Sequence, residues 1–378
     1  MKNNFNLLKP CFGTTYIRHI NGLYLAIKNN KACLTTEKYL WILQSFENDR
    51  FYLKNISDHD CLEYFCNNLN TAIDSGYTVQ HWHIYIDNNN HIIIEHADSK
   101  NMFLCSDNNN LSIKNINSNK DDFLFFLENN SLTDGYPYIE TLSKTKRISL
   151  RVEPSILNIV NKEWLKEWTD DLEKAVYSFS RLVGHLPFPT IEIRGYTNCN
   201  AWGYIYYNIP VVHINNGYMK NEIIRMRQRK TRDISFGTLH EISHLFDKPV
   251  WLFDGEAMAN IKIPYVLKEL DFTVQVNENS NERLFTLENY VEDLYSSQGK
   301  LDNVKGLFSS SLAAKITEIA IIIGYDAFKE TFRSINILHE SNLKRFELFI
   351  EKLSEYSSKN IKEMFTNEEW NTIVKNLS

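Results

Sequence analysis

The chain has 378 residues, which is too long for one ordinary hydrophobic core and suits two or three domains. Its net charge of −6 at pH 7 and its pI near 6.0 argue against general nucleic-acid binding. No apolar run reaches membrane-spanning length, and Met1 to Phe5 lead into neither an apolar signal region nor a small-residue cleavage site.

An internal repeat organises the first third of the chain. Trp41, Trp82 and Phe123 follow one another at a spacing of 41 residues. Short alternating segments such as 50–53 and 91–94 occupy related places in the repeat and are separated by turns rich in Asn, Asp and Gly. Three copies of this kind predict a closed β unit with threefold symmetry.

Over about residues 12–130, this pattern resembles a β-trefoil of the ricin-B or fascin kind. The Gln-x-Trp signature of the ricin-type repeats is missing. The resemblance implies a module that binds a glycan, and the alternative is a trefoil used only as a scaffold or docking piece. We predict an all-β trefoil domain over residues 1–130.

A polar stretch with turn residues follows, and residues 131–150 are predicted to be a linker. From Pro154 to Gly184 apolar residues recur at helical spacing, which predicts one long amphipathic helix. Three strand-like segments then predict a small sheet whose edge strand could hold an extended peptide. These segments are residues 190–194, 201–207 and 210–214.

A basic run precedes the next helix. We interpret it as a solvated face, which would attract acidic or sialylated substrates only if it lined a cleft. The run consists of Arg225, Arg227, Arg229, Lys230 and Arg232.

The chemistry of the chain is indicated by the motif His240-Glu241-Ile242-Ser243-His244. Two histidines four residues apart lie on one face of a helix, so both imidazoles can bind one tetrahedral zinc ion. Glu241 then points to the open coordination position, where it can act as the base for a water molecule. Asp233 or Ser235 is expected to cap the helix, and Pro249 follows its end.

A catalytic zinc normally takes a third protein ligand. One class of zinc peptidases uses a histidine or aspartate six residues after the second motif histidine, and Val250 excludes that class. The other class takes a glutamate from a following helix, which predicts Glu256 as the ligand. Asp254 and, less directly, Asp247 are the competing ligands. One turn after Glu256, Asn260 is expected to hydrogen-bond the far nitrogen of a ligating histidine.

These residues resemble a known family. The motif and the segment Gly255 to Ile261, in which Glu256 follows His244 after eleven residues, are similar to the enhancin and mucin-degrading zinc metallopeptidases, which are gluzincins. More loosely, the resemblance extends over residues 150–340. Ser243 departs from it, since many members have glycine there. The resemblance implies a zincin fold and a heavily O-glycosylated, mucin-like substrate.

Together these features predict a multidomain α+β protein. An N-terminal β-trefoil is followed by a zincin-type catalytic domain with a small sheet and active-site helices, and then by a mainly helical C-terminal part. The predicted boundaries are 1–130 for the trefoil, 131–150 for the linker, 151–275 for the catalytic subdomain and 276–378 for the helical subdomain.

The predicted activity is that of a zinc-dependent endopeptidase in which Glu241 is the general base and His240, His244 and Glu256 bind Zn²⁺. Tyr290 and Tyr295 are the candidates for stabilising the oxyanion. The alternatives are a toxin- or effector-type zinc protease that acts on one non-glycosylated protein, and a lectin-like binding protein with an inactive peptidase fold.

The six cysteines show no C-x-x-C spacing, which predicts mostly reduced thiols. We expect a protein or glycoprotein substrate, and the family analogy favours a protein that is secreted, released or injected.

Overall fold

The chain forms two compact units, Met1–Ile139 and Glu140–Ser378. The computed structural model describes residues 2–46, 49–57, 59–72, 74, 78–107, 110–115, 120–197, 201–206, 209–227, 233–274 and 287–378.

Within these residues the N-terminal unit consists of strands and short 3₁₀ turns. Its strands are β1 Asn6–Leu7, β2 Cys11–His19, β3 Tyr24–Lys28, β4 Lys31–Thr35, β5 Leu40–Phe46, β6 Arg50–Asn55, β7 Cys61–Phe65, β8 Asn68–Ala72, β9 Trp82–Ile86, β10 His91–His96, β11 Met102–Asp107, β12 Asn110–Asn115 and β13 Phe125–Asp134.

Six of these strands close a ring of antiparallel pairs. Strand β2 pairs with β5, β5 with β6, β6 with β9, β9 with β10, β10 with β13, and β13 again with β2. Each repeat also contributes one hairpin, and the three hairpins are β3–β4, β7–β8 and β11–β12. A six-stranded barrel with three hairpins is the topology of a β-trefoil, so the predicted fold of this unit is confirmed.

The 41-residue spacing of the repeat reflects aromatic residues buried in the core of this unit. Trp41 and Trp82 are fully buried, and their indole nitrogens donate to the carbonyls of Leu25 at 2.8 Å and Leu62 at 3.0 Å. Phe123 is buried at the third position of the series, where an apolar ring replaces the indole. The period therefore marks one buried aromatic residue per repeat.

The structure corrects the predicted linker. Most of residues 131–150 belong to strands, since β13 extends to Asp134, β14 spans Ile139–Leu142 and β15 spans Ile148–Val152. The turn signals that predicted a linker mark the short connections between these strands. The boundary between the units falls after Ile139.

The C-terminal unit contains a five-stranded sheet in the order β14-β15-β16-β18-β17. Its remaining strands are β16 Ile191–Thr197, β17 Gly203–Ile205 and β18 Val211–Asn215. Strands β15, β16 and β18 are parallel, and β17 pairs antiparallel with β18 at the edge. All three predicted strands are present, although position 207 lies outside the described residues.

The rest of this unit is helical. Its helices are α1 Lys162–Val183, α2 Asn216–Arg227, α3 Phe236–His244, α4 Gly255–Leu270, α5 Leu287–Gln298, α6 Phe308–Ile323, α7 Tyr325–Ser334, α8 Asn342–Ser357 and α9 Asn367–Leu377. The predicted helix from Pro154 is shorter than expected, because residues 154–158 form a 3₁₀ turn and Asn161 caps α1 by accepting from the Trp164 amide at 2.8 Å.

No single helix in the described ranges is long and apolar enough to span a membrane. Helices α6 and α7 reach that length and apolar composition only when they are taken together, and the chain bends by 115° between them. Among the described residues, Cys11, Cys33, Cys61, Cys66 and Cys105 are free thiols, and Cys199 lies outside these residues.

Candidate metal centre

Helix α3 presents the two motif histidines on one face. Ser235 caps the helix, and its side chain accepts from the Thr238 amide at 3.1 Å. Leu239 and Ile242 are completely buried on the opposite side. The rings of His240 and His244 therefore meet one turn apart, with centroids 4.8 Å from each other.

Two glycines let other elements approach α3 closely. A Cβ at Gly237 would lie 1.8 Å from the Trp202 ring, so only glycine admits this indole against the first turn of the helix. A Cβ at Gly203, in edge strand β17, would lie 2.8 Å from Cγ of Glu241. The backbone of β17 consequently runs directly beside the Glu241 side chain.

Helix α4 brings the third donor to the histidines. Glu256 lies in its first turn, and its Oε2 is 3.1 Å from Nε2 of His240. Its Oε1 is 3.6 Å from Nε2 of His244, and the two Nε2 atoms are 3.2 Å apart. One donor atom from each of the three residues lies within 4.8 Å of the other two. Two imidazole nitrogens and a carboxylate oxygen at this separation match the donor set of zinc.

Neither competing aspartate shares this position. Asp254 caps α4: its Oδ1 accepts from the Ala257 amide at 2.8 Å, and its Oδ2 accepts from the Ser309 hydroxyl at 2.7 Å. Asp247 lies behind His244 and accepts a hydrogen bond from the ammonium group of Lys262. The geometry therefore favours Glu256 among the three carboxylates that the sequence left open.

Both histidines are held from behind at Nδ1. The Nδ1 atom of His240 is 2.9 Å from Oδ1 of Asn260, and that of His244 is 3.3 Å from Oδ2 of Asp247. Because an acceptor faces each Nδ1, the proton belongs there and the lone pair is on Nε2, which faces the centre. The structure thus places Asn260 where the sequence predicted it and adds Asp247, which the sequence offered only as a ligand.

The carbonyl of Asn260 has an unusual partner. Pro264 lies inside α4 and has no N–H to give to the carbonyl four residues earlier. The hydroxyl of Tyr290 donates to that carbonyl instead, at 3.1 Å. Ser243, at the position where the resembling family often has glycine, donates to the Ala259 carbonyl at 2.9 Å and so joins α3 to α4.

The charges of the centre interact strongly. Burial raises the pKa of the Glu241 carboxyl, and the neighbouring His240 and His244 offset only part of this rise. The contact with the His240 ring lowers the pKa of the Glu256 carboxyl by more than partial burial raises it. Burial alone would lower the pKa of His240, but Glu256 and the charge of Glu241 outweigh it and the pKa is raised. A carboxyl group with a raised pKa is suited to accept and return a proton.

A cleft of about 840 Å³ opens above the centre. One wall is the edge strand β17, and the opposite wall comes from α5 and the start of α6. Its lining includes Trp202, Tyr204, Ile205, Glu222, Arg225, Phe236, Asp293, Leu294, Ser297, Gln298, Leu307 and Ser310 beside the motif residues.

The two predicted oxyanion-stabilising tyrosines are not part of this lining. Tyr290 is completely buried and bonded to Asn260, and the hydroxyl of Tyr295 donates to Glu318 at 3.0 Å. Of the basic run, Arg225 lines the cleft as an ion pair with Glu222, whereas positions 229, 230 and 232 lie outside the described residues.

No family model matches the sequence, and no curated protein matches it either. Among solved structures, the chain is similar to the designed threefold-symmetric protein ThreeFoil, with 16% identity over 30% of this chain and 97% of that one and a TM-score of 0.27. A Haemophilus ducreyi cytolethal distending toxin structure has 14% identity over 32% and 87%, with a TM-score of 0.28. An Actinobacillus actinomycetemcomitans toxin structure has 14% over 32% and 95%, with a TM-score of 0.26. The β-trefoil assignment rests on the strand pairing described above.

Proposed function

We propose that this protein is a zinc-dependent endopeptidase. The observation that supports the proposal is the convergence of Nε2 of His240, Nε2 of His244 and the Glu256 carboxylate, with Asn260 and Asp247 behind the two rings. Two histidines and one glutamate give three protein donors, which is the number that catalytic rather than structural zinc sites use. Zinc, when bound, supplies a Lewis acid that makes a water molecule more acidic and polarises a carbonyl group.

The residues of the chain supply the remaining chemistry. Glu241 accepts a proton from the attacking water as its oxygen adds to the scissile carbonyl carbon. When the C–N bond breaks, Glu241 delivers this proton to the leaving amine. Burial raises the pKa of the Glu241 carboxyl above its ordinary value, which makes the carboxylate a stronger base toward the attacking water.

The shape of the cleft supports an extended peptide as substrate. Strand β17 lies at the edge of the sheet, and Gly203 lets its backbone pass beside Glu241. A peptide paired with this edge would carry its scissile bond past the base. The resemblance to the enhancin and mucin-degrading family extends the proposal to O-glycosylated substrates, for which the N-terminal trefoil would be a glycan-binding module.

The proposal is tested by metal analysis and cleavage of a matched peptide pair. The purified full-length protein should contain close to one zinc per chain and lose hydrolysis when a chelator removes it. One peptide, with and without an O-glycan near the scissile bond, is then digested. Cleavage of the glycosylated form alone supports the mucinase reading, and cleavage of the bare form alone favours an effector-type protease. A zinc-loaded protein that cleaves neither peptide nor an intact glycoprotein would favour the inactive, lectin-like alternative.

A further inference from the structure

Helix α4 buries a lysine beside the proposed metal centre. The side chains of Lys262 and Asp247 are both 0% exposed and form an ion pair. Lysine is almost never buried without a partner, and removing two charges from water costs several kcal/mol per ion. Apolar residues of similar volume often give equal or greater stability, so a buried pair is weak evidence of a purely stabilising role.

The geometry of the pair points to a different role. Oδ1 of Asp247 accepts from the Lys262 ammonium, while Oδ2 is 3.3 Å from Nδ1 of His244. The carboxylate is thus divided between a cation and a candidate metal ligand. We propose that Lys262 is a positioning residue, which holds the Asp247 carboxylate so that it sets the orientation and tautomer of His244. This inference rests on the proposed zinc site.

The other histidine is held in a different way. His240 faces the neutral amide oxygen of Asn260, which belongs to the same helix as Lys262. Asp247 instead lies three residues beyond His244, outside the helices, and the ammonium of Lys262 holds it from α4. Helix α4 therefore acts on all three proposed ligands: it contains Glu256 itself, orients His240 through Asn260, and orients His244 through Lys262 and Asp247.

The donor chemistry of Lys262 makes the inference specific. An ammonium group has only donors, so an oxygen must face it. In an Asp247→Asn variant the single amide oxygen turns to Lys262, and the NH₂ group then faces Nδ1 of His244. His244 must accept that hydrogen bond, which places its own proton on Nε2 and blocks the position that binds metal.

Removing the lysine should relieve this block. In the double variant Asp247→Asn/Lys262→Met the amide is free to turn, and its oxygen can again face Nδ1 of His244. Zinc affinity, measured by competition with a chelator, should fall by about 100-fold in Asp247→Asn and recover to within about tenfold of the parent in the double variant. Cobalt-loaded samples provide a second readout, since the visible spectrum of the double variant should return toward that of the parent.

The matched control is the buried ion pair of the trefoil. Nζ of Lys54 lies 2.8 Å from Oδ2 of Asp74, with side chains 6% and 8% exposed. The variant Asp74→Asn/Lys54→Met removes the same two charges and should leave zinc affinity unchanged.

A double variant that binds zinc as weakly as Asp247→Asn, or more weakly, overturns the inference, and so does an Asp247→Asn variant with the affinity of the parent. Should Asp247→Asn fail to fold, Lys262→Met and Lys262→Arg decide the question. Loss of affinity in the first but not in the second supports positioning by the cation, and equal affinity in both overturns it. A parent protein that takes up no zinc removes the proposed function itself, whereas a zinc-binding parent with the wrong order of variants removes only the role of Lys262.

Discussion

The two helices of the candidate metal centre differ in how they contribute to it. Helix α3 holds two of the proposed ligands and the proposed base within five consecutive residues, His240 to His244, in a helix that Ser235 caps. Helix α4 carries the third proposed ligand, Glu256, together with Asn260 behind His240, a buried lysine and a proline in its interior. The proposed reactive groups thus lie close together in sequence, whereas the groups that orient them come from several elements.

The largest effect on turnover is expected on α3. Glu241→Gln should keep the fold and the zinc, because Glu241 is not among the three converging donors, while hydrolysis falls by at least about 100-fold. Turnover and zinc content are measured on the same sample. Near-normal turnover in a zinc-loaded variant would show that the base lies elsewhere.

On α4, Glu256→Ala should have the largest effect on metal binding. Zinc affinity should fall by more than about 100-fold, the upper range of losses seen when a group behind a ligand is removed. Chelator competition on the purified variant gives this value. If Asp254→Ala empties the site and Glu256→Ala does not, the ligand assignment is wrong.

A residue of α4 that only orients a proposed ligand should affect zinc affinity less than a proposed ligand does. Asn260→Ala removes the acceptor 2.9 Å from Nδ1 of His240, and zinc affinity should fall by about 10–100-fold. Asn260→Asp keeps an oxygen at the same place and serves as the control. If Asn260→Ala loses as much zinc affinity as Glu256→Ala, the proposed difference between a ligand and a residue that orients it is wrong.

The next effect concerns the proline in α4. Tyr290→Phe leaves the Asn260 carbonyl without the hydroxyl that replaces the missing N–H of Pro264, which should cost about 1–3 kcal/mol of unfolding free energy. Denaturant unfolding measures it. Restoring a helix N–H by adding Pro264→Ala should reduce the cost of the tyrosine change, and full additivity of the two changes would contradict this account.

The smallest effect is expected at the start of α4. Asp254→Ala removes the cap of the helix and the bond from Ser309, which should cost about 0.5–2 kcal/mol of stability and leave zinc content nearly intact. Asp254→Asn keeps an acceptor for the helix amide and should lose less. Thermal unfolding measured with and without zinc separates a loss of stability from a loss of zinc binding.

Much of this arrangement follows from local sequence. The 41-residue period reports a buried aromatic residue in each repeat, and the trefoil was predictable because its strands are short, alternating and separated by turns. The motif on α3 was equally readable, since helical spacing alone places His240 and His244 on one face. The linker over 131–150 was wrong because turn residues between paired strands resemble those of an unstructured connection.

Contacts distant in sequence required the tertiary structure. Sequence spacing left Asp254, Asp247 and Glu256 as competing ligands, and only the packing of α4 on α3 gave each carboxylate a different partner. The tyrosines predicted for the oxyanion were plausible by residue type, yet Tyr290 is buried against the Asn260 carbonyl, a place defined by a proline 26 residues earlier. Helical spacing determines which face a side chain occupies, because that depends on the local backbone alone. What the side chain touches there depends on how helices pack, which no local pattern contains.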